Sequence, residues 1–178
     1  MAIIAKDEGG GGSYHNPEQG LHNAVCAKMF DLGVQEGYQG KMQHKVAIYF
    51  ELEERIPDGE YKDKRFMLMK SYTLSLNEKA NLRKDLESWR GKSFTEDEAK
   101  GFDIEVLIGK PCTINVVMHE SNGKERARIS GIMPKQKNAE ALTPEVESDF
   151  MPNWIKELIG GKSDDVPVDA YDDEEPIF

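Results

Sequence analysis

The 178-residue sequence has no run approaching the ~18 consecutive apolar residues of a membrane span. Its opening, MAIIAKDEGGGGS, lacks the basic-then-apolar order of a secretory signal. A soluble, cytoplasmic protein with no membrane partner is the expectation. Only two cysteines occur, Cys26 and Cys112, each inside an apolar strand-like run. They are too few for a four-ligand zinc site, and a cytoplasmic disulfide is not expected. The four histidines, His15, His22, His44 and His119, show no metal-ligand spacing. There is no Gly-rich phosphate loop, no nucleophile elbow and no paired-cysteine motif. Glu51, Glu53, Glu54, Asp58 and Asp63 are the acids a Mg²⁺-dependent nuclease would draw on, but acids at strand ends and in loops are ordinarily solvated surface. The sequence therefore predicts no catalysis, no metal and no cofactor.

An excess of positive charge is also missing. The net charge is −10, which at first argues against a nucleic-acid ligand. The acidity is unevenly placed, however. Residues 161–178 hold seven acids against Lys162, or −6, whereas residues 20–135 hold 19 Lys/Arg against 18 Asp/Glu. Phosphate binding needs a local cationic stripe and not a basic average. The charge balance leaves DNA open.

What is present falls into four segments. Residues 1–19, with a run of four glycines followed by Ser13, Asn16 and Pro17, read as a flexible N-terminal arm. Residues 20–135 carry the periodic patterns of one domain. Residues 136–160 are a polar connection with a short amphipathic island, Phe150 to Ile159, expected to dock back on that domain. Residues 161–178 are an acidic tail expected to be disordered.

Within the domain, residues 21–32 are a strand candidate ending at Gly33. Residues 45–53 alternate, with Val46, Ile48, Phe50 and Leu52 on one face and Lys45, Ala47, Tyr49 and Glu51 on the other. Pro57-Asp58-Gly59 marks a turn, and residues 65–74 form a Met-rich third strand. Ser75 and Glu78 fit a capping box that opens a helix to about Trp89, stopped by Gly91. Thr95 and Glu98 form a second capping box, and residues 102–108 fit either a helical turn or an extended run. Residues 111–119 and 124–133 are strands around Asn122-Gly123, a strong hairpin signal. Five strands with a helical insertion between the third and fourth predict a mainly β, five-stranded OB-fold barrel.

A binder of single strands needs a cationic groove and aromatic faces on which bases stack. Lys45 and Tyr49 share the second strand's polar face. On the third strand Phe66, Leu68, Lys70, Tyr72 and Leu74 share one parity and Met67 and Met69 the other; either set can face the core, and the charge of Lys70 points to the first as the exposed one, with Arg65 at the strand's start. Arg126 and Arg128 alternate with Ala127 and Ile129 on the fifth strand. These observations make Lys45, Tyr49, Arg65, Phe66, Lys70, Tyr72, Arg126 and Arg128 the candidate DNA-binding residues. The tip Asp172-Asp173-Glu174-Glu175-Pro176-Ile177-Phe178 is acid followed by an apolar end, which suits a partner's apolar pocket beside basic residues.

That tip resembles the acidic C-terminal tips of bacterial single-stranded-DNA-binding proteins, with Ile177 standing between Pro and Phe. The body resembles phage-encoded single-stranded-DNA-binding proteins through Phe30-Asp31-Leu32-Gly33, Lys70 to Leu76, Trp89-Arg90-Gly91-Lys92 and Gly101-Phe102-Asp103. The resemblance implies an OB fold and sequence-tolerant coating of single-stranded DNA in phage replication or recombination inside a bacterial host. It also implies recruitment of replication or recombination proteins through the tail. A homodimer stays open. The alternative is an OB-fold adaptor that mainly binds protein and touches DNA weakly.

Overall fold

The computed structural model describes residues 15–160. The expectations placed on residues 1–14 and on the tail, 161–178, including its seven-residue tip, lie outside the described residues.

The chain is mainly β. Five strands, β1 (Gly20–Glu36), β2 (Met42–Arg55), β3 (Arg65–Thr73), β4 (Pro111–Ser121) and β5 (Lys124–Met133), form one sheet in the order β3-β2-β1-β4-β5. Every pairing is antiparallel. Two helices, α1 (Asn81–Arg90) and α2 (Glu96–Lys100), lie between β3 and β4, and α3 (Asn153–Ile159) follows β5. The sheet is not closed: among the described residues no ladder joins β3 to β5. The pairings make both edge strands run in the direction of β1, and the two edges approach one another.

The inner face is set by alternation. Val46, Ile48, Phe50 and Leu52 from β2, Cys112, Ile114 and Val116 from β4, and Ile129 and Ile132 from β5 are all buried. Leu82, Leu86 and Trp89 of α1 complete this core, each burial worth about 1.5–3 kcal/mol. Trp89 Nε1 donates to the Pro111 carbonyl at 3.0 Å, which fixes the helix to the start of β4.

Strand β1 runs past Gly33, where the sequence suggested a stop. Gly33 takes φ +67° at a register shift and donates its N–H to Asp31 Oδ1 at 2.8 Å, so the glycine bends the strand instead of ending it. A second shift lies between Cys26 and Lys28. A one-residue slip exchanges the faces. Ala24 and Cys26 therefore point into the core, whereas Phe30 and Leu32 pack on the opposite side of the sheet.

The first helix starts later than the Ser75 capping box predicts. Ser75 Oγ accepts from Asn77 N, and Asn77 Oδ1 accepts from Lys79 N, so local side-chain bonds hold residues 75–80 in turns. Gly91 ends the helix at φ +71° as expected. The Thr95–Glu98 capping box forms as read, and the undecided stretch contains a 3₁₀ turn at Ile104–Leu107. Strand β5 has the bounds expected of it. No helix among the described residues is long and apolar enough to cross a membrane.

Candidate nucleic-acid interface

The outward face of β2 is not open. Lys45, Ala47, Tyr49 and Glu51, read as the polar face, are as buried as the core set, at 3%, 0%, 8% and 2% exposure. The cover is residues 139–159, which leave β5 and cross the outer side of β1 and β2. Asn23 Nδ2 donates to the Glu140 carbonyl, Lys28 Nζ to the Ser148 carbonyl, and Ile155 is fully buried against Leu32, Ala47 and Tyr49. The amphipathic island thus packs on the face assigned to DNA.

Two devices hold this strap. Glu51 accepts from Glu145 N at 2.9 and 3.0 Å, from Val146 N at 2.7 Å and from Arg65 Nη1 at 3.2 Å. Arg65 also donates to the Thr143 carbonyl at 2.7 Å and meets Glu145 at 3.1 Å, while Arg55 grips Glu145 with both Nη atoms at 2.8 and 3.0 Å. The Arg55 hydrogen bond is the main cause that holds the Glu145 carboxyl below its ordinary value of 4.5. The second device is aromatic. Trp154 Nε1 donates to the Tyr49 hydroxyl at 3.0 Å, and Phe30 and Phe150 meet the Tyr49 ring edge-on at 5.7 and 6.1 Å. Burial pushes the Tyr49 phenol up to about 12.

The exposed face of β3 is the reverse of the one expected. Phe66 and Tyr72 are core residues at 6% and 1% exposure, and Met67 and Met69 face the strap. The charge of Lys70 misled because α1 supplies its counterion. Lys70 Nζ and the Tyr72 hydroxyl both reach Asp85 Oδ2 at 2.7 Å, and Lys70 lies 5.3 Å over the Tyr72 ring. A half-buried cation with a carboxylate partner is compatible with a core face. Lys45 is likewise engaged, donating to Thr73 Oγ1 at 3.1 Å.

Arg126 and Arg128 are half-buried on β5, opposite His119 and Val117 of β4 and on the side away from the core residue Ile129. The Arg128 Nε atom is itself buried, so this face of β5 is only partly open.

A surface the sequence reading passed over lies near them. In the β2–β3 loop Tyr61 is 56% exposed, with Lys64 Nζ 5.6 Å over its ring and Lys62 beside it. The signal was available, since an aromatic flanked by charges in a polar turn has no core to enter. The registers Ala24↔Leu52 and Gly20↔Val116 put this loop and the β4–β5 hairpin at the same end of the sheet. Residues 15–16, expected in the flexible arm, join the two. His15 Nε2 pairs with Asp58, and Asn16 bonds to Glu125 O and Ala127 N of β5. This rim carries Lys62, Lys64, Lys124, Arg126 and Arg128, balanced by Asp58, Glu60, Asp63, Glu120 and Glu125. It offers an exposed ring and cations without net positive charge. In comparisons with known proteins, no family model and no curated protein matches this chain.

Proposed function

We propose that this protein binds single-stranded DNA with little sequence preference, as a phage-type coating protein of replication or recombination. The observation that carries the reading is the topology. Strand order β3-β2-β1-β4-β5, with edge strands running the same way and approaching each other and helices between β3 and β4, is the layout an OB-type barrel would have. The rim of Tyr61, Lys62, Lys64, Lys124, Arg126 and Arg128 supports it, since a stackable ring and guanidinium groups are what sequence-tolerant strand binding uses. The acidic tail ending in Pro176-Ile177-Phe178 would recruit replication or recombination proteins.

The burial of Tyr49, Phe66 and Tyr72 favours a second reading, an adaptor that mainly binds protein and only weakly DNA. Fluorescence anisotropy with single-stranded, duplex and RNA oligonucleotides across a salt series separates the two. The coating function expects preference for single strands over duplex at every salt concentration. Equal affinity for both, or no binding, leaves the adaptor.

A further inference from the structure

The strap and the face beneath it are chemically matched in an unusual way. The sheet contributes cations, Lys28, Arg55 and Arg65, the aromatic rings Phe30 and Tyr49, and the acid Glu51 to the groups that meet the strap among the described residues. Residues 139–159 contribute five acids, Glu140, Glu145, Glu147, Asp149 and Glu157, against Lys156, together with the rings of Phe150 and Trp154. Glu145 sits bidentate on Arg55 and also meets Arg65, and Trp154 and Phe150 sit against Tyr49. An anion on arginines, beside aromatic rings packed edge-on against Tyr49, occupies the groups that a single strand would use on a stacking platform. The match is incomplete: Arg65 Nε and Asn23 Oδ1 are buried with no hydrogen-bond partner among the described residues.

Resting on the single-strand-binding reading, we propose that residues 139–159 are an internal occupant of the DNA platform. A single strand displaces them, its phosphates replacing Glu145 on Arg55 and Arg65 and its bases replacing Trp154 and Phe150 against Tyr49 and Phe30. The strand enters from the rim, because Arg55 also donates to the Asp63 carbonyl of the β2–β3 loop at 2.8 Å and so links loop to platform. Closed and open forms are then two states whose balance the ligand shifts through its greater affinity for the open one. In the closed form Ile155 of the strap is buried against Ala47 and Leu32, apolar groups that would otherwise face water in the DNA-free protein.

The test uses the full chain labelled with 5-fluorotryptophan. Its two tryptophans give two ¹⁹F resonances, Trp89 in the core and Trp154 in the strap. Saturation with oligo-dT should move the Trp154 resonance toward its solvent-exposed position and leave that of Trp89 in place. Ile155→Ala, which opens a cavity under the strap, should tighten oligo-dT binding by about tenfold or more. A Trp154 resonance that stays put at saturation overturns the proposal, and so does an Ile155→Ala chain that folds and binds no more tightly. In both cases oligo-dT still binds and the single-strand reading stands. If neither the unaltered chain nor Ile155→Ala binds oligo-dT in anisotropy, that reading fails and the strap proposal with it.

Discussion

Replacing Glu51 with alanine tests how the strap is held. The carboxylate is 2% exposed and accepts from two backbone N–H groups, Glu145 and Val146, and from Arg65. Alanine leaves both N–H groups without their acceptor and removes one of the two carboxylates beside a guanidinium that is 11% exposed. An orphaned buried donor costs about 1–3 kcal/mol, and breaking one side of a buried ion pair about 3–5 kcal/mol. These costs overlap, because Glu145 still partners Arg65 and the strap can lift to hydrate its N–H groups. A loss of about 3–5 kcal/mol is expected, a large share of the roughly 5–15 kcal/mol that typically holds a domain. Glu51→Gln keeps one acceptor and should lose about half as much. Urea denaturation followed by circular dichroism gives the total, and hydrogen exchange shows where the loss falls. Protection should vanish at Glu145, Val146 and Ile155 before it falls at Phe50 or Ile114. A midpoint shift worth less than about 1 kcal/mol, with protection of the strap unchanged, would refute the view that Glu51 is its principal anchor.

Four further outcomes are expected. Tyr61→Ala should weaken oligo-dT binding by about 5- to 150-fold, the loss of one base stack of about 1–3 kcal/mol, measured by anisotropy. Arg126→Ala combined with Arg128→Ala should reduce the slope of log affinity against log salt by about 1.4, two single-strand phosphate contacts at roughly 0.7 each. Glu145, Glu87, Glu98 and Asp31 all titrate below their ordinary values in the fold. Their contribution is complete above the ordinary carboxylate range and is lost as pH falls through the lowered values, so thermal midpoints should drop below about pH 4.5. Removing residues 164–178 should leave the fold intact and tighten DNA binding at low salt, and loss of Phe178 alone should abolish partner pull-down.

The fold was legible wherever pattern and turn chemistry agreed. The alternation of Val46 to Leu52, the Asn122-Gly123 hairpin, the Gly91 stop and the Thr95 capping box all recur in the structure. The site was much less legible, for physical reasons that can be named. A polar–apolar alternation shows that one face of β2 is apolar, but not that a segment 95 residues further on seals the other. The charge of Lys70 signals solvent only if no carboxylate waits inside, and Asp85 arrives from a different element. Phe30 and Leu32 change sides through register shifts that a uniform period of two does not register. Ser75 had the right residue type for a cap but spent its oxygen on a tighter local turn.

The central position of β1 bears on how the chain comes to be folded. Its neighbour β2 follows at once, and a β1–β2–β3 meander can assemble while the rest is still being made. Its other neighbour, β4, pairs Gly20 with Val116, and the strap closes on Glu51 across 95 positions. Closing loops of that size costs entropy before any contact repays it, so folding should be slow, in the millisecond-to-second range of β-rich domains. Until β4, β5 and residues 139–159 arrive, the meander exposes Ile48 and Phe50 on one side and Ala47 and Tyr49 on the other. The nascent chain is then an aggregation-prone two-faced sheet until residues 111–159 emerge to cover both of its faces.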